Sequence, residues 1–324
     1  PFWISVKGRE VQAEYPAPKR IEAPSDWPAS DNIADWKMGQ AMGRGARIVG
    51  PFVRLGQAAA VDRLATFLDE DADQYPDRRN IPSVLGTSGL SENLALGEIS
   101  PKQCWHSGKR ALYEGIHGAE IFLKEVVWRE FAYHLMFHTP HILDSNWKPD
   151  WDKFPWQTDE DDPAVLAWKQ GRTGVPFVDA AMREMYVTGR MHNRGRMIVA
   201  SYLTKHLLCH WKIGQKWFEH CLIDWDPASN AMGWQWSAGS GPDATPYFRI
   251  FNAETQLEKF DPKAIYIKQW IAELDQTPTH TAISFFEAIP EKWNLNPKMG
   301  YPTAIISMKQ GRERALNAYE ARGF

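Results

Sequence analysis

The segment DWDPASNAMGWQW, residues 224–236, brings two carboxylates and two tryptophans close together in the chain. The carboxylates are Asp224 and Asp226, and the tryptophans are Trp234 and Trp236. An indole is usually buried with one partner for its N–H group, whereas an Asp-Pro step is typical of a turn. Because residues two apart on a helix point about 200° apart, the two tryptophans are expected to face different surroundings. The segment is therefore either a corner of the core or the wall of a binding site.

A second segment, MHNRGRM at residues 191–197, stands at the head of a predicted core helix and carries Arg194 and Arg196. An arginine on an apolar helix is costly to bury unless it is paired. Asp224 and Asp226 are both candidates for the partner, and the sequence does not decide between them.

A carboxylate and an indole share one helix face further upstream. Glu125 precedes Trp128 by three residues, a spacing that makes the two side chains neighbours on a helix. A carboxylate, the amide of Asn193, an Arg–Asp pair and several tryptophans are the groups required by a pocket for a flat, hydrogen-bonding ring system. A structural polar network explains the same residues, and from these residues alone both interpretations stay open.

The segment GTSGLSENLALG, residues 86–97, is a candidate phosphate site. The hydroxyl groups of Thr87, Ser88 and Ser91 stand with main-chain N–H groups just before a predicted short helix, an arrangement that suits phosphate. An ordinary helix N-cap uses the same residue types and is the simpler interpretation of the segment taken alone.

Three histidines, His134, His138 and His141, follow a spacing that can place ligands on one helix face. The Thr139-Pro140 step is expected to end the helix before His141, and no carboxylate or cysteine stands at a matching spacing. Structural histidines are the better interpretation, so no metal site is predicted.

The elements that position these segments are predicted to be helices. A long helix is expected from about Gly118 to Phe137, and residues 195–208 are apolar around most of a helix, which predicts a central core helix. Alternating strand patterns are nearly absent, so the fold class is all-α. Residues 1–50, rich in proline, alanine and charge, are predicted to be a linker with a short helix after Asp31, and residues 51–324 one large helical domain.

The charge of the chain is uneven. The formal net charge is −3, which argues against a uniformly basic nucleic-acid-binding surface. Residues 168–217 nevertheless hold nine Lys or Arg against two Asp or Glu, a local +7 that leaves about −10 on the rest. One face could therefore meet polyanions, although solvated helix faces explain the count equally well.

Three cysteines without a C-x-x-C pair, Cys104, Cys209 and Cys221, favour free thiols in a reducing cytosol. No apolar run is long enough for a transmembrane helix, and no signal peptide is recognised. Because the first residue is not Met, the chain is expected to have been cut from a longer protein.

From about Tyr75 to Lys259 the chain resembles the flavin-binding helical domain of the photolyase/cryptochrome family. The motifs that carry the resemblance occur in the family's order: GTSGLS, WREF, GRTGVPFVDAAMREM, GRMHNRGRM and DWDPASNAMGWQWSAGSGPDATPYFRIFN. Several long motifs in one order are highly specific.

The resemblance implies FAD, reduced in the active state, as the cofactor. Gly89 departs from the basic residue that relatives usually have there, which predicts a main-chain contact only. Arg196 and Asp224 would pair beside the isoalloxazine ring, and Asn230 would face its reactive nitrogen. The positions matching the family's FAD-binding residues are Tyr75, Thr87, Ser88, Gly89, Leu90, Ser91, Arg196, Asp224, Asp226 and Asn230.

The resemblance also implies light-driven repair of cyclobutane pyrimidine dimers in DNA, with Trp128 and Trp236 stacking on the flipped dimer. Glu125 would hydrogen-bond the pyrimidine edges. The positions matching the dimer pocket are Glu125, Trp128, Asn193, Met197 and Trp236; those matching DNA contacts are Arg79, Arg129, Arg194, Arg249 and Gln256; those matching the electron-transfer indoles are Trp156, Trp211 and Trp234.

Within the family, one combination of residues favours a microbial cyclobutane dimer photolyase: Glu125, Asn193, Met197, Asn230 and Trp236. The motifs resemble those of the bacterial branch nearest plant cryptochromes. The competing interpretation is a cryptochrome-type flavin photoreceptor without repair activity. The family's N-terminal α/β antenna domain is not matched in residues 1–50, so an antenna chromophore of unknown identity is expected in a part absent from this chain. Damaged DNA as partner, a monomer and a cytosolic location complete the predictions.

Overall fold

The computed structural model describes residues 2–38, 45–244 and 246–324. Over these ranges the chain is helical and contains no β-strand. An isolated parallel β-bridge joins Gln157 to Cys209. The predicted all-α class is confirmed. The α-helices are α1 Phe2–Val6, α2 Gly45–Val49, α3 Gln57–Thr66, α4 Tyr75–Arg78, α5 Ser91–Ala95, α6 Pro101–Tyr113, α7 Ala119–His138, α8 Pro163–Lys169, α9 Pro176–Thr188, α10 Asn193–Ser201, α11 Trp211–Cys221, α12 Pro227–Ala238, α13 Ala253–Phe260, α14 Ile265–Trp270, α15 His280–Ala288 and α16 Met308–Glu320.

Shorter helical turns connect these elements. Among the described residues two of these turns are π-helical, Phe67–Asp71 after α3 and Tyr202–His206 after α10. The others are 3-10 turns: Ile33–Trp36, Gly50–Phe52, Pro140–Leu143, Pro149–Lys153, Ala272–Leu274 and Glu291–Trp293.

The core is built around α9, α10, α11 and α12. Helix α10 and the π-helical turn after it are buried along most of their length, as expected of residues 195–208. Helix α7 begins one residue after Gly118, whose missing Cβ would lie 1.8 Å from the carbonyl oxygen of Ala72. It ends at His138 because the Pro140 ring is incompatible with a helical residue before it.

The N-terminal stretch is attached to the helical domain at both of its ends. Phe2 of α1 lies 5.0 Å, centroid to centroid, from Phe131 of α7, and Trp3 lies 6.2 Å from Trp105 of α6. Helix α2 packs against α9 and α15. The 3-10 turn at residues 33–36 is the short helix expected after Asp31. Residues 39–44 of the predicted linker lie outside the described ranges, and the division at residue 50 stays a prediction.

Candidate functional site

Arg196 and Asp224 form an ion pair, the one of the two possible Arg–Asp pairs that the family resemblance implies. Arg196 Nη2 donates to both carboxylate oxygens of Asp224, at 3.0 and 2.7 Å. Arg196 Nε donates to the Met191 carbonyl at 2.9 Å. The Asp224 side chain is 7% exposed and that of Arg196 28%. The guanidinium is therefore fixed by three acceptor contacts in a half-buried position at the head of α10.

Asp226 makes different hydrogen bonds from Asp224, to the start of α12 and to α7. It caps α12, accepting the Ser229 N–H at 2.7 Å, and it accepts the Tyr133 hydroxyl from α7 at 2.6 Å. Burial and the hydrogen bond to Asp226 raise the pKa of Tyr133 to about 12, so the phenol stays a donor. The carboxylate of Asp226 thus holds α12 against α7, two helices that carry candidate site residues.

Asn230, one turn into α12, is oriented by a neighbour on α11. Its amide nitrogen Nδ2 donates to the Gln215 carbonyl at 3.0 Å. That bond commits the donor end of the side chain and leaves Oδ1 as an acceptor. Asn230 is half-buried.

The two tryptophans of α12 face different surroundings, as their spacing predicts. Trp234 is 2% exposed and packs edge-on against Trp168 at 6.1 Å and Phe218 at 4.9 Å. Trp236 is half-buried. Across the boundary with α7, Trp128 is 46% exposed and meets Phe131 edge-on at 5.6 Å.

Gly214 of α11 packs against the Trp234 ring, and its lack of a side chain leaves room for that ring. A Cβ at residue 214 would lie 2.0 Å from Trp234 Cη2. We expect Gly214→Ala to lower the free energy of unfolding by about 1–3 kcal/mol, the usual cost of overpacking, in urea titrations. Gly233→Ala is the matched control, because a Cβ there meets nothing within 4 Å and alanine favours the helix by about 0.5–1 kcal/mol. Equal effects of the two changes would contradict the packing described.

The turn before α5 presents three hydroxyl side chains. In the part of the chain that the structure describes, the side chains of Thr87, Ser88 and Ser91 make no hydrogen bond. Gly89 adopts φ +62°, a left-handed conformation that glycine takes without strain. Its carbonyl accepts from Arg63 Nη1 at 2.7 Å, so a cation from α3 lies against a turn that has no basic side chain of its own. Leu90 is buried beneath it.

Tyr75, Arg79 and Glu125 form one group between α4 and α7. Arg79 Nη1 donates to Glu125 Oε1 at 2.6 Å, and its guanidinium lies 5.0 Å from the centre of the Tyr75 ring. Burial raises the pKa of Tyr75 to about 12. The Glu125 carboxylate is 39% exposed, so it is open to a further donor beside Trp128 on the same helix.

The head of α10 orders a second arginine. Arg194 Nη1 donates to Gln256 Oε1 at 2.9 Å and Nη2 to Asn80 Oδ1 at 2.6 Å. Its guanidinium lies 3.6 Å from the centre of the Phe260 ring. The sequence paired neither Asn80 nor Phe260 with this arginine.

Asn193 and Met197 lie one helical turn apart, with the amide nitrogen 3.9 Å from the sulfur. Asn193 is exposed, and so is Arg249, whose side chain makes no hydrogen bond or ion pair with the described residues. The Arg129 side chain contacts two neighbours. Its Nη1 donates to Glu130 Oε1 at 2.8 Å, and its guanidinium carbon lies 4.5 Å from the centre of the Tyr133 ring.

Of the three indoles matched to electron transfer, Trp156 and Trp211 both contact the ring of His210, which the sequence did not indicate. Trp211, fully buried, donates its N–H to Asn146 Oδ1 at 2.8 Å. The His210 ring lies between Trp211, at 5.4 Å, and Trp156, at 5.7 Å. Burial lowers the pKa of His210 to about 4, so this ring is neutral near pH 7. Trp211 begins α11, the helix whose Gly214 contacts Trp234.

The candidate histidines make no cluster with other ligands. The His134 and His138 rings lie 4.5 Å apart, while His141 follows in the next 3-10 turn. Over the described ranges, no three His, Cys, Asp or Glu side chains are grouped so as to hold a metal ion. Likewise, no helix there has the length and apolar character to cross a bilayer.

Residues 122–321 match the family described as the FAD binding domain of DNA photolyase. The deoxyribodipyrimidine photo-lyase of Agrobacterium fabrum is 43% identical over 327 residues, which cover 99% of this chain and 68% of that protein. This chain belongs to the photolyase/cryptochrome family. The Escherichia coli deoxyribodipyrimidine photo-lyase is 42% identical over 82% of this photolyase-family chain and 56% of its own length.

Solved structures agree with this assignment. A bacterial class III photolyase from Agrobacterium tumefaciens superimposes with a TM-score of 0.84 at 41% identity, over 99% of this chain and 67% of that one. A Synechocystis cryptochrome gives 0.70 at 32% identity, over 82% of this chain and 56% of its own. The chain therefore spans about two thirds of the length of the two Agrobacterium proteins and just over half of the length of the Escherichia coli and Synechocystis proteins.

The family match confirms the expected FAD, and the residues present fit that molecule. A diphosphate needs hydrogen-bond donors at a turn that main chain can approach closely, and the Thr87–Ser91 turn supplies free hydroxyls with a glycine at positive φ. A flavin ring needs directional polar groups beside an apolar surface. The Arg196–Asp224 pair and the half-buried Asn230 are such groups.

Proposed function

We propose that this chain is the FAD-binding catalytic part of a deoxyribodipyrimidine photo-lyase, which splits cyclobutane pyrimidine dimers in DNA under light. The observation that carries the proposal is that one helix, α10, bears residues of both predicted sites. Arg196 is paired with Asp224 for the flavin, while Asn193 and Met197 are matched to the dimer and Arg194 to a DNA contact. The names of the relatives support the same reaction.

When bound, reduced FAD would supply the light-driven electron, and the protein would orient the reactants and tune their electrostatics. Arg196 and Asp224 would hold the ring at one edge. Because Asn230 Nδ2 donates to the Gln215 carbonyl, Asn230 Oδ1 would be the atom that accepts a hydrogen bond from the flavin. Thr87, Ser88 and Ser91 would donate to the phosphates.

The α7 face would receive the flipped dimer. Glu125, held by Arg79, would hydrogen-bond the pyrimidine edges of the dimer. Trp128 and the half-buried Trp236 would provide the stacking wall, worth about 1–3 kcal/mol per base. This arrangement selects a base that has left the duplex, because an intrahelical base cannot reach these groups.

DNA binding is expected to depend on a few arginines, so it should be salt-dependent. Arg249→Ala should weaken binding to damaged and undamaged DNA alike and reduce the slope of log K against log salt by about 1. Fluorescence anisotropy at several salt concentrations measures both. Lys292→Ala, an equal loss of charge at an exposed residue outside the matched DNA positions, should change neither. An unaltered affinity and slope in the Arg249 variant would exclude Arg249 from the DNA-binding face.

A monomer acting in the bacterial cytosol, with its antenna chromophore held elsewhere in the full-length protein, is part of the proposal. The three free cysteines support a reducing compartment. Light-dependent recovery of thymine absorbance from dimer-containing DNA tests the proposed reaction.

A further inference from the structure

Glu92, the second residue of α5, is the centre of a buried ion triad that the sequence analysis did not foresee. Its side chain is 1% exposed. Arg63 Nη1 donates to Oε1 at 2.6 Å. Arg190 donates Nε to Oε2 at 2.8 Å and also donates Nη2 to Oε1. One carboxylate thus receives two guanidinium groups, one from α3 and one from the loop before α10.

Arg63 connects the triad to the turn matched to the FAD phosphates. The same Nη1 that binds Glu92 also donates to the Gly89 carbonyl at 2.7 Å and to Asn93 Oδ1 at 3.0 Å. A Cβ at Gly89 would come within 4.0 Å of this atom. The triad has a formal charge of +1, which favours an anion at the neighbouring turn.

Arg190 connects the triad to the flavin-ring side of the site. It belongs to the loop of residues 189–192, between α9 and α10. In that loop the Gly189 carbonyl accepts the N–H of Ile223, next to Asp224, at 2.8 Å. The Met191 carbonyl accepts from Arg196 Nε at 2.9 Å. The loop that Glu92 holds is therefore the loop against which the Arg196–Asp224 pair is placed.

We propose that Glu92 is a positioning residue that sets the distance between the phosphate turn and the Arg196–Asp224 pair, so that both ends of one FAD are bound at once. This inference rests on the proposed function. Burying charges costs desolvation energy, so such a triad adds little to stability compared with apolar packing, and fixing one arrangement is its better-attested use. A flexible site would lose part of the FAD affinity to the ordering of these two segments.

The chain contains a matched control. Glu273 is 1% exposed and pairs with Arg183 at 2.6 Å and Arg172 at 3.0 Å, a second Arg–Glu–Arg triad whose residues are matched to neither FAD nor DNA. Glu92→Gln and Glu273→Gln therefore remove the same charge from similar surroundings. A loss of fold stability should be common to both, whereas a loss of positioning should belong to Glu92 alone.

The experiment is titration of FAD into wild-type and variant protein freed of flavin, in the dark, with the free energy of unfolding and the absorption spectrum of bound oxidised FAD measured in parallel. We expect Glu92→Gln to raise the FAD dissociation constant roughly tenfold or more and to blur the vibronic structure of the blue absorption band. Glu273→Gln should leave both within about twofold. Wild-type affinity in Glu92→Gln, or equal losses in both variants, would overturn the inference.

A milder variant covers the case in which Glu92→Gln does not fold. Arg190→Gln leaves Glu92 paired with Arg63, and it should still weaken FAD binding severalfold because the link to the loop is cut. Unchanged FAD affinity in Arg190→Gln would refute the bridge. A wild-type chain that binds no FAD would instead refute the proposed function, so the two failures are distinguishable.

Discussion

Trp234→Phe is expected to abolish photoreduction of oxidised FAD while chemically reduced protein still repairs dimers. Trp234 is buried among Trp168, Phe218 and Gly214, and phenylalanine fills much of that space. A phenyl ring is far harder to oxidise than an indole, so the change would remove the electron donor proposed at this position with little change in packing. Absorbance under blue light with an external reductant measures photoreduction, and the repair assay on dithionite-reduced protein measures the rest.

Trp236→Ala is the control for this prediction, since it changes the neighbouring indole of the same helix. Trp236 is half-buried, whereas Trp234 is almost fully buried. The two side chains are therefore expected to have different roles. Trp236→Ala should spare photoreduction and weaken binding of dimer-containing DNA by about 1–3 kcal/mol. Identical phenotypes in the two variants would mean that both indoles are only core.

Glu125→Ala is expected to keep FAD bound and to weaken DNA binding modestly, yet to lower the yield of repair per photon. The Glu125 hydrogen bond should matter most once negative charge develops on the dimer. A hydrogen bond to a charged group is worth about 1.5–3 kcal/mol, which corresponds to about 10- to 100-fold in the rate constant of splitting. Quantum yield of repair, measured with saturating DNA, separates this effect from affinity.

Glu130→Ala supplies the comparison for Glu125. Glu130 is a carboxylate on the same helix, 48% exposed and paired with Arg129. It lies outside the residues matched to the dimer pocket, so its loss should leave the yield near that of the wild type. An unchanged yield in Glu125→Ala would remove Glu125 from the mechanism, and an equal drop in both variants would point to a general effect of charge on α7.

Local patterns predicted the helices well because helix periodicity and end signals are encoded over a few residues. The end of α7 at His138 and the burial of α10 follow from Pro140 and from an apolar run. The two indoles of α12 were separated correctly by helix geometry alone. By contrast, α1 packs on α7 although its surroundings read as linker, because Phe2 and Trp3 meet partners about 100 or more residues away in sequence.

The polar network of the site was predicted only in part. The residue types alone showed that Arg196 needed a carboxylate but could not choose between two aspartates in one turn, and only the family resemblance predicted Asp224. Arg63, Glu92 and Arg190 come from three separate segments, and nothing in their local spacing indicates a triad. A buried acid directly after a phosphate-type turn was the available signal, because such a carboxylate requires partners.

Light-dependent repair is the direct test of the central claim. The reduced, FAD-bound protein is mixed with single-stranded DNA that contains cyclobutane thymine dimers, and recovery of thymine absorbance is followed under near-UV or blue light, with a dark sample as the reference. Our account predicts recovery that requires both light and reduced FAD. FAD-loaded protein that restores no dimers, or that acts only on (6-4) lesions, would contradict it and favour a photoreceptor or another repair specificity.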